Sequence, residues 1–131
     1  MINEPTKKRC DELSKEIIGA AIEVHQVLGP GLLESAYERS LCKEIELCGL
    51  HCERQVTVPL DYKGEPIGDG YRLDILVEDL VIVELKAVNT IEAIHQAQLL
   101  TYLKLSEKWL GLLLNFNVSL MRDGIKRMVN G

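Results

Sequence analysis

The sequence lacks any apolar run approaching the roughly 20 residues that a membrane-spanning helix needs, so no membrane partner is expected. Its opening, Met1-Ile-Asn-Glu-Pro-Thr-Lys-Lys-Arg9, is charged and has no apolar stretch of signal-peptide type. Neither export nor cleavage is expected, and cytoplasmic localisation follows. Positive charge is also in short supply. Fifteen Lys and Arg face twenty Asp and Glu, a formal charge of -5, with six basic against nine acidic residues over 1–50 and nine against eleven over the rest. Proteins that grip nucleic acid by neutralising many phosphates usually carry a basic stripe. Any phosphate chemistry here therefore needs a metal or a partner. Repeats, linkers and low-complexity segments are missing, and 131 residues give room for one sizeable core, so one domain over residues 1–131 is expected. With 47% apolar residues the chain is too hydrophobic for disorder.

No C-x-x-C pair occurs. The four cysteines stand at 10, 42, 48 and 52, and in a chain without an export signal they are expected to be reduced. Cys42, Cys48, Cys52 and His51 lack the spacing of a zinc knuckle, and Cys42 and Cys48 also suit the apolar side of a helix, which favours small core thiols. Nothing in the sequence sets His25 or His95 beside a particular thiol, so a Cys-His nucleophilic site has no support.

Two amphipathic helices open the chain. Cys10, Leu13, Ile17, Ala20, Ala21, Val24, Val27 and Leu28 recur at three- and four-residue steps and stop at Gly29-Pro30-Gly31. Leu33, Ala36, Tyr37, Ser40, Leu41, Ile45 and Cys48 form the inner stripe of the second, with Gly31 as its expected N-cap and Gly49 closing it. From Cys52 the period changes to two. Cys52, Val56, Val58, Leu60 and Tyr62 describe a half-buried strand that ends at the Lys63-Gly64-Glu65-Pro66 turn.

Residues 70–88 are the most informative. Tyr71, Leu73, Ile75 and Val77, then Val81, Val83, Leu85 and Ala87, place every odd position on an apolar side. A two-residue turn would set the apolar side of one strand against the mixed side of the other, so the shared parity demands an odd loop, Glu78-Asp79-Leu80. Asp74 then lies opposite Glu84, and Arg72, Asp74, Glu84 and Lys86 share the opposite face. Asn89 with Glu92 resembles a capping box for a helix through Leu105. On that helix Gln98 and Tyr102 lie four apart on one face, in line with Ile91 and Ile94, beside an apolar stripe of Ala93, Ala97 and Leu100. Leu110 to Phe116 reads as a buried central strand, and Ile125 to Val129 as an edge strand.

Two neighbouring carboxylates repel unless a cation sits between them, and oxygen-only ligation suits Mg²⁺ or Mn²⁺. Lys86, two residues beyond Glu84, points the same way, where an ammonium can steer a water or stabilise developing charge. Phosphodiester hydrolysis needs these functions. Chance alone supplies about 1.4 acid-x-Lys triplets at this composition, and two are present. Asp61-Tyr62-Lys63 runs into a turn, whereas Glu84-Leu85-Lys86 lies in a predicted buried strand paired with an acid.

Asp74, Glu84-x-Lys86, a following helix with Gln98-x-x-x-Tyr102, and an acid in a preceding helix together resemble the PD-(D/E)XK nuclease superfamily. Gly31-Leu-Leu-Glu34-Ser-Ala-Tyr37 is similar to the GxxExxY signature of one small family within it. The resemblance runs through the Gly111 to Phe116 strand and the Asp123-Gly-Ile-Lys-Arg127 ending, although Leu73 stands where the superfamily pattern has Pro. It implies a restriction-endonuclease-like α/β core, with a mixed central sheet flanked by helices. It further implies Asp74 and Glu84 as metal ligands supported by Glu34 from its helix, Lys86 as the catalytic lysine, and Gln98 and Tyr102 lining the site. Magnesium or manganese is the implied cofactor, and DNA or RNA the implied partner. His95 reads as a structural histidine and Tyr37 as core.

Two functions of different class follow. One is a Mg²⁺-dependent nuclease or related phosphodiesterase. The other is a non-catalytic nucleic-acid-binding or protein-interaction module that keeps the nuclease fold, motivated by the acidic charge and the small surface available to hold a duplex. A homodimer would double that footprint.

Overall fold

The two N-terminal periodic segments form α1 (Glu4–Leu28) and α2 (Glu34–Leu47) in the computed structural model, which describes residues 2–131. The Asn3 side chain caps α1 by accepting from the Thr6 N–H at 2.9 Å, and Gly29, in the left-handed region at φ 69°, ends it. Cys10, Leu13, Ile17, Ala20, Ala21 and Val24 are buried as expected. Val27 and Leu28 are not, and Val27 is 70% exposed. The last turn instead buries His25, whose Nε2 donates to the Val118 carbonyl at 2.8 Å.

The start of α2 also departs from expectation. Gly31 is not the N-cap; that position is Leu33, which has no side chain able to cap and is exposed. Tyr37 explains the entry geometry: its hydroxyl donates to the Gly29 carbonyl at 2.6 Å and accepts from the Leu32 N–H at 3.0 Å. This closes the Gly29–Leu32 loop over the first turn and turns Leu33 outward. Cys10, Cys42 and Cys52 are buried core thiols, whereas Cys48 is exposed at the end of α2.

The strands are β1 (Cys52–Val58), β2 (Asp61–Tyr62), β3 (Glu65–Pro66), β4 (Tyr71–Val77), β5 (Val81–Lys86), β6 (Leu110–Asn115) and β7 (Ile125–Val129), with α3 (Ala93–Ser106) between β5 and β6. Five of them form a mixed sheet in the order β1-β4-β5-β6-β7. Only β5 and β6 run parallel, joined across the sheet by α3 as a parallel pair requires. The expected strand from Cys52 to Tyr62 is divided. Its first part ends at Val58, because Pro59 has no N–H to donate to a ladder. Beyond it β2 folds back on β3 as a separate ribbon around Lys63-Gly64.

Helices cover both faces. α1 and α2 pack on one, with Tyr37, Leu41, Ile45, Val81, Val83, Leu85 and Phe116 in that core; α3 packs on the other, with Leu73, Ile82, Leu99, Leu103 and Leu113. β6 is buried throughout and β7 is an edge, both as expected. On α3 the inward stripe is Leu99 and Leu103 rather than Ala93 and Ala97, which are exposed. Leu99 fits because Gly111 lies beneath it, where an added Cβ would stand 2.9 Å from Leu99 Cδ1. The N-cap of α3 is Glu92, not Asn89, and the His95 ring accepts from the Glu92 N–H at 3.0 Å, which gives that histidine a structural task. Among the described residues no helix is long and apolar enough to cross a membrane.

The β4–β5 connection follows the parity argument. Glu78-Asp79-Leu80 forms a three-residue loop with Val77 opposite Val81 and Ile75 opposite Val83. The single-face rule fails further along β4. Ile75 and Val77 point into the α1/α2 core, but Tyr71 and Leu73 pack on the α3 side. Successive side chains alternate, so two residues two apart can lie on opposite faces only where the strand is wrung between them. β1 shows the same exchange, with Cys52 on the α1/α2 side and Val56 and Val58 on the α3 side. Between them Gln55 has φ 54°, a left-handed residue inside a strand. Arg72 thereby leaves the face on which it was expected, because Tyr71 and Leu73 occupy it, and is exposed.

Candidate active site

Asp74 lies where β4 parts from β5. Backbone pairing stops at Ile75–Val83, and the next rung, Asp74 opposite Glu84, is made by side chains. The Asp74 N–H donates to Glu84 Oε1 at 3.2 Å, and the Leu85 N–H donates to Asp74 Oδ2 at 2.9 Å. Each carboxyl group thus replaces a missing backbone partner and is locked in place by the opposite strand. Glu84 is only 5% exposed. Burial, followed by the adjacent charge of Asp74 and a hydrogen bond between the two carboxyl groups, pushes its pKa up to about 9. Burial and the neighbouring Asp74 thus favour the protonated form of Glu84 at neutral pH when no cation is present.

Lys86 ends β5, half-buried, two residues from Glu84 and so on the same side of the strand. Its positive charge lowers the Glu84 pKa, the smallest of the influences on that group. Among the described residues neither Lys86 nor Arg72 forms an ion pair with Asp74 or Glu84. The carboxylates are therefore not neutralised as an ordinary cross-strand charge pair. The chain beyond Lys86 is held by Asn115, its neighbour in the parallel register. Asn115 accepts from the Val88 N–H at 3.1 Å and donates to the Val88 carbonyl at 2.9 Å. Sequence reasoning read Asn115 only as part of an apolar run.

α3 supplies the roof. Gln98 Nε2 donates to the Tyr102 hydroxyl at 2.9 Å, so the two residues expected to share a face do meet. Burial, then the charge of Glu84 and, less, that of Asp74 raises the Tyr102 pKa, while the Gln98 hydrogen bond lowers it. Tyr71 stacks against Tyr102 with ring centroids 4.6 Å apart, and its own buried hydroxyl has no partner among the described residues.

Glu34 occupies the first turn of α2 and is exposed. Tyr37, one turn on, stacks on Phe116 at 4.5 Å, and the Phe116 N–H bonds the Lys86 carbonyl at 3.0 Å. This anchors the N-terminal end of α2 at the Lys86 end of the sheet. The structure brings Asp74 and Glu84 together, but among the described residues no third His, Cys, Asp or Glu joins them in a metal-holding cluster.

Besides Asn115, a second buried polar residue was missed. Glu38 is buried on α2 and accepts from Gln55 Nε2 at 2.6 Å and from Arg54 Nη1 at 3.1 Å. The signal was present in the sequence, since Glu38 falls in line with Leu41 and Ile45 at helical spacing on the apolar stripe.

The sequence profile of the PD-(D/E)XK nuclease superfamily matches residues 11–128. The chain belongs to the PD-(D/E)XK nuclease superfamily. No curated protein and no solved structure matches it significantly. The match runs from α1 into β7, and a mixed sheet flanked by helices is the fold it calls for. Superfamily membership points to nuclease chemistry, and PD-(D/E)XK nucleases generally use divalent metals. The residues present suit such an ion. Two neighbouring carboxyl groups, each oriented by a strand amide, have the donor chemistry of an oxygen-ligated cation site.

Proposed function

We propose that this protein is a Mg²⁺- or Mn²⁺-dependent nuclease of the GxxExxY type, hydrolysing phosphodiester bonds at Asp74, Glu84 and Lys86. The observation that carries the reading is the placing of Asp74 against the buried Glu84, whose ionised form is disfavoured there unless a cation offsets the charge. A divalent ion there would supply Lewis acidity, acidifying a water and neutralising a phosphate oxygen. Asp74 and Glu84 would hold it, each already oriented by a backbone N–H of the other strand. Lys86, half-buried at the strand end and free of ion-pair partners among the described residues, would orient the attacking water and ease its deprotonation by stabilising the negative charge that develops. Gln98 and Tyr102 line the α3 side of the site and orient one another. Glu34 would support the metal from the first turn of α2, although it does not itself join the Asp74–Glu84 contact. The Gly31-x-x-Glu34-x-x-Tyr37 motif suits that role, because the doubly bonded Tyr37 hydroxyl fixes the loop from which Glu34 departs.

The test is cleavage of labelled single- and double-stranded DNA and RNA in Mg²⁺, Mn²⁺ or EDTA by wild type, Lys86→Ala and Glu84→Gln prepared identically. Cleavage that needs metal and disappears in both variants supports the proposal. Equal cleavage by all three proteins identifies a contaminant and contradicts it. No cleavage by wild type on any substrate also contradicts it and returns the non-catalytic binding module to first place.

A further inference from the structure

The exchange of faces between Leu73 and Ile75 requires a cause, and it lies on β1. Gln55 is the residue opposite Asp74 in the β1–β4 register, and this rung alone is missing from a ladder otherwise continuous from Cys52–Val77 to Val58–Tyr71. At this position Gln55 is left-handed. A non-glycine residue keeps that conformation inside a strand only when its surroundings over-determine it. Here the restraint comes from α2, where the buried Glu38 carboxylate takes hydrogen bonds from the side chains of both Gln55 and Arg54. The wrung rung is also the point at which Asp74 turns from the β1 ladder toward β5, to meet the Leu85 N–H and Glu84. A flat β1 would restore strict alternation along β4, which keeps Asp74 on the face of Glu84 but stands its side chain off the sheet, away from the Leu85 N–H.

We propose that Glu38 is a positioning residue for Asp74, acting through Gln55: its buried carboxylate holds Gln55 left-handed, and the resulting twist of β1 and β4 presents Asp74 to Glu84 and Leu85. For its use the inference rests on the nuclease reading, but its geometry does not. Glu38 touches neither carboxylate of the pair; what it supplies is the shape of the strand beneath one of them.

The experiment is amide hydrogen exchange in EDTA on full-length wild type, Glu38→Leu, and Glu38→Leu combined with Gln55→Gly. Exchange at Leu85, whose N–H donates to Asp74, is read relative to the β6 amides that report whole-molecule opening. Leucine continues the apolar line of Leu41 and Ile45 and so replaces Glu38 as a brace for the helix, while glycine adopts φ 54° without any restraint. In Glu38→Leu the relative protection of Leu85 is expected to fall by about tenfold or more, the equilibrium worth of a charge-assisted hydrogen bond. Adding Gln55→Gly is expected to restore it. Unchanged protection in Glu38→Leu would overturn the proposal. Loss that glycine does not restore would also overturn it, showing Glu38 to be a general tie between α2 and β1. Because the exchange is measured without metal, failure of wild type to bind metal or to cleave would overturn the nuclease reading and leave this result intact.

Discussion

Replacing Glu84 with Gln separates the proton from the charge at the centre of the site. In the folded protein Glu84 has its pKa at about 9, against 4.5 for an unconstrained side chain. The folded state therefore keeps a proton that the unfolded chain releases, and between these two values wild type loses stability as pH rises. Linkage sets the slope at about 1.4 kcal/mol per pH unit, or about 4 kcal/mol between pH 5 and pH 8. Glutamine has the same shape, its oxygen can accept from the Asp74 N–H, and its amide can donate where the Glu84 proton stood. The variant should thus lack this slope. Urea unfolding in EDTA from pH 5 to 9 should show the two stability curves diverging, with the variant increasingly the more stable at high pH. Added Mg²⁺ should restore wild type at pH 8, where the ion replaces the proton, and do little at pH 5 or for the variant. Curves that stay parallel across this range would show that Glu84 ionises like an exposed carboxylate and would refute the reasoning.

Lys86→Ala should lower cleavage by roughly 10²- to 10⁴-fold, the usual worth of a positioned group that assists proton transfer. Metal affinity should stay close to that of wild type by calorimetry, and a parallel loss of affinity would make Lys86 part of the metal site instead. Tyr37→Phe keeps the stack on Phe116 but strips partners from the Gly29 carbonyl and the Leu32 N–H. It should cost about 1–3 kcal/mol in urea unfolding, and no change would mean that the α1–α2 loop does not depend on that hydroxyl. Gly111→Ala drives a methyl group into Leu99 at 2.9 Å. Overpacking of this kind costs about 1–3 kcal/mol, so a neutral result in thermal unfolding would contradict the close seating of α3 on β6.

The carboxylate pair was legible in the sequence because parity alone decided it. Odd apolar positions on both sides of Glu78-Asp79-Leu80 required an odd loop, and an odd loop put Asp74 opposite Glu84. The buried β6 was legible as a short continuous apolar run, and the pairing of Gln98 with Tyr102 as a four-residue helical step. Parity failed where its premise of a regular strand failed. A left-handed Gln55 carries no sequence signature, so the transfer of Tyr71 and Leu73 to the α3 side, and of Arg72 away from it, was invisible. Caps were misplaced where a tertiary contact overrode a local preference. Tyr37 fixed the entry to α2 from within the helix, and His95 capped α3 at Glu92 rather than Asn89. Glu38 was overlooked for the opposite reason, since an acid on an apolar stripe looks like an interruption until its partners on β1 are seen.

The most direct test of the central claim, that Asp74 and Glu84 form a divalent-metal site, is a crystal structure of the protein grown with Mn²⁺ at neutral pH, with the ion located by anomalous scattering. The expected result is an ion ligated by carboxylate oxygens of both residues, with Lys86 on the same side of the strand. Anomalous density elsewhere, or none with the two carboxyl groups still in hydrogen-bonding contact, would contradict it.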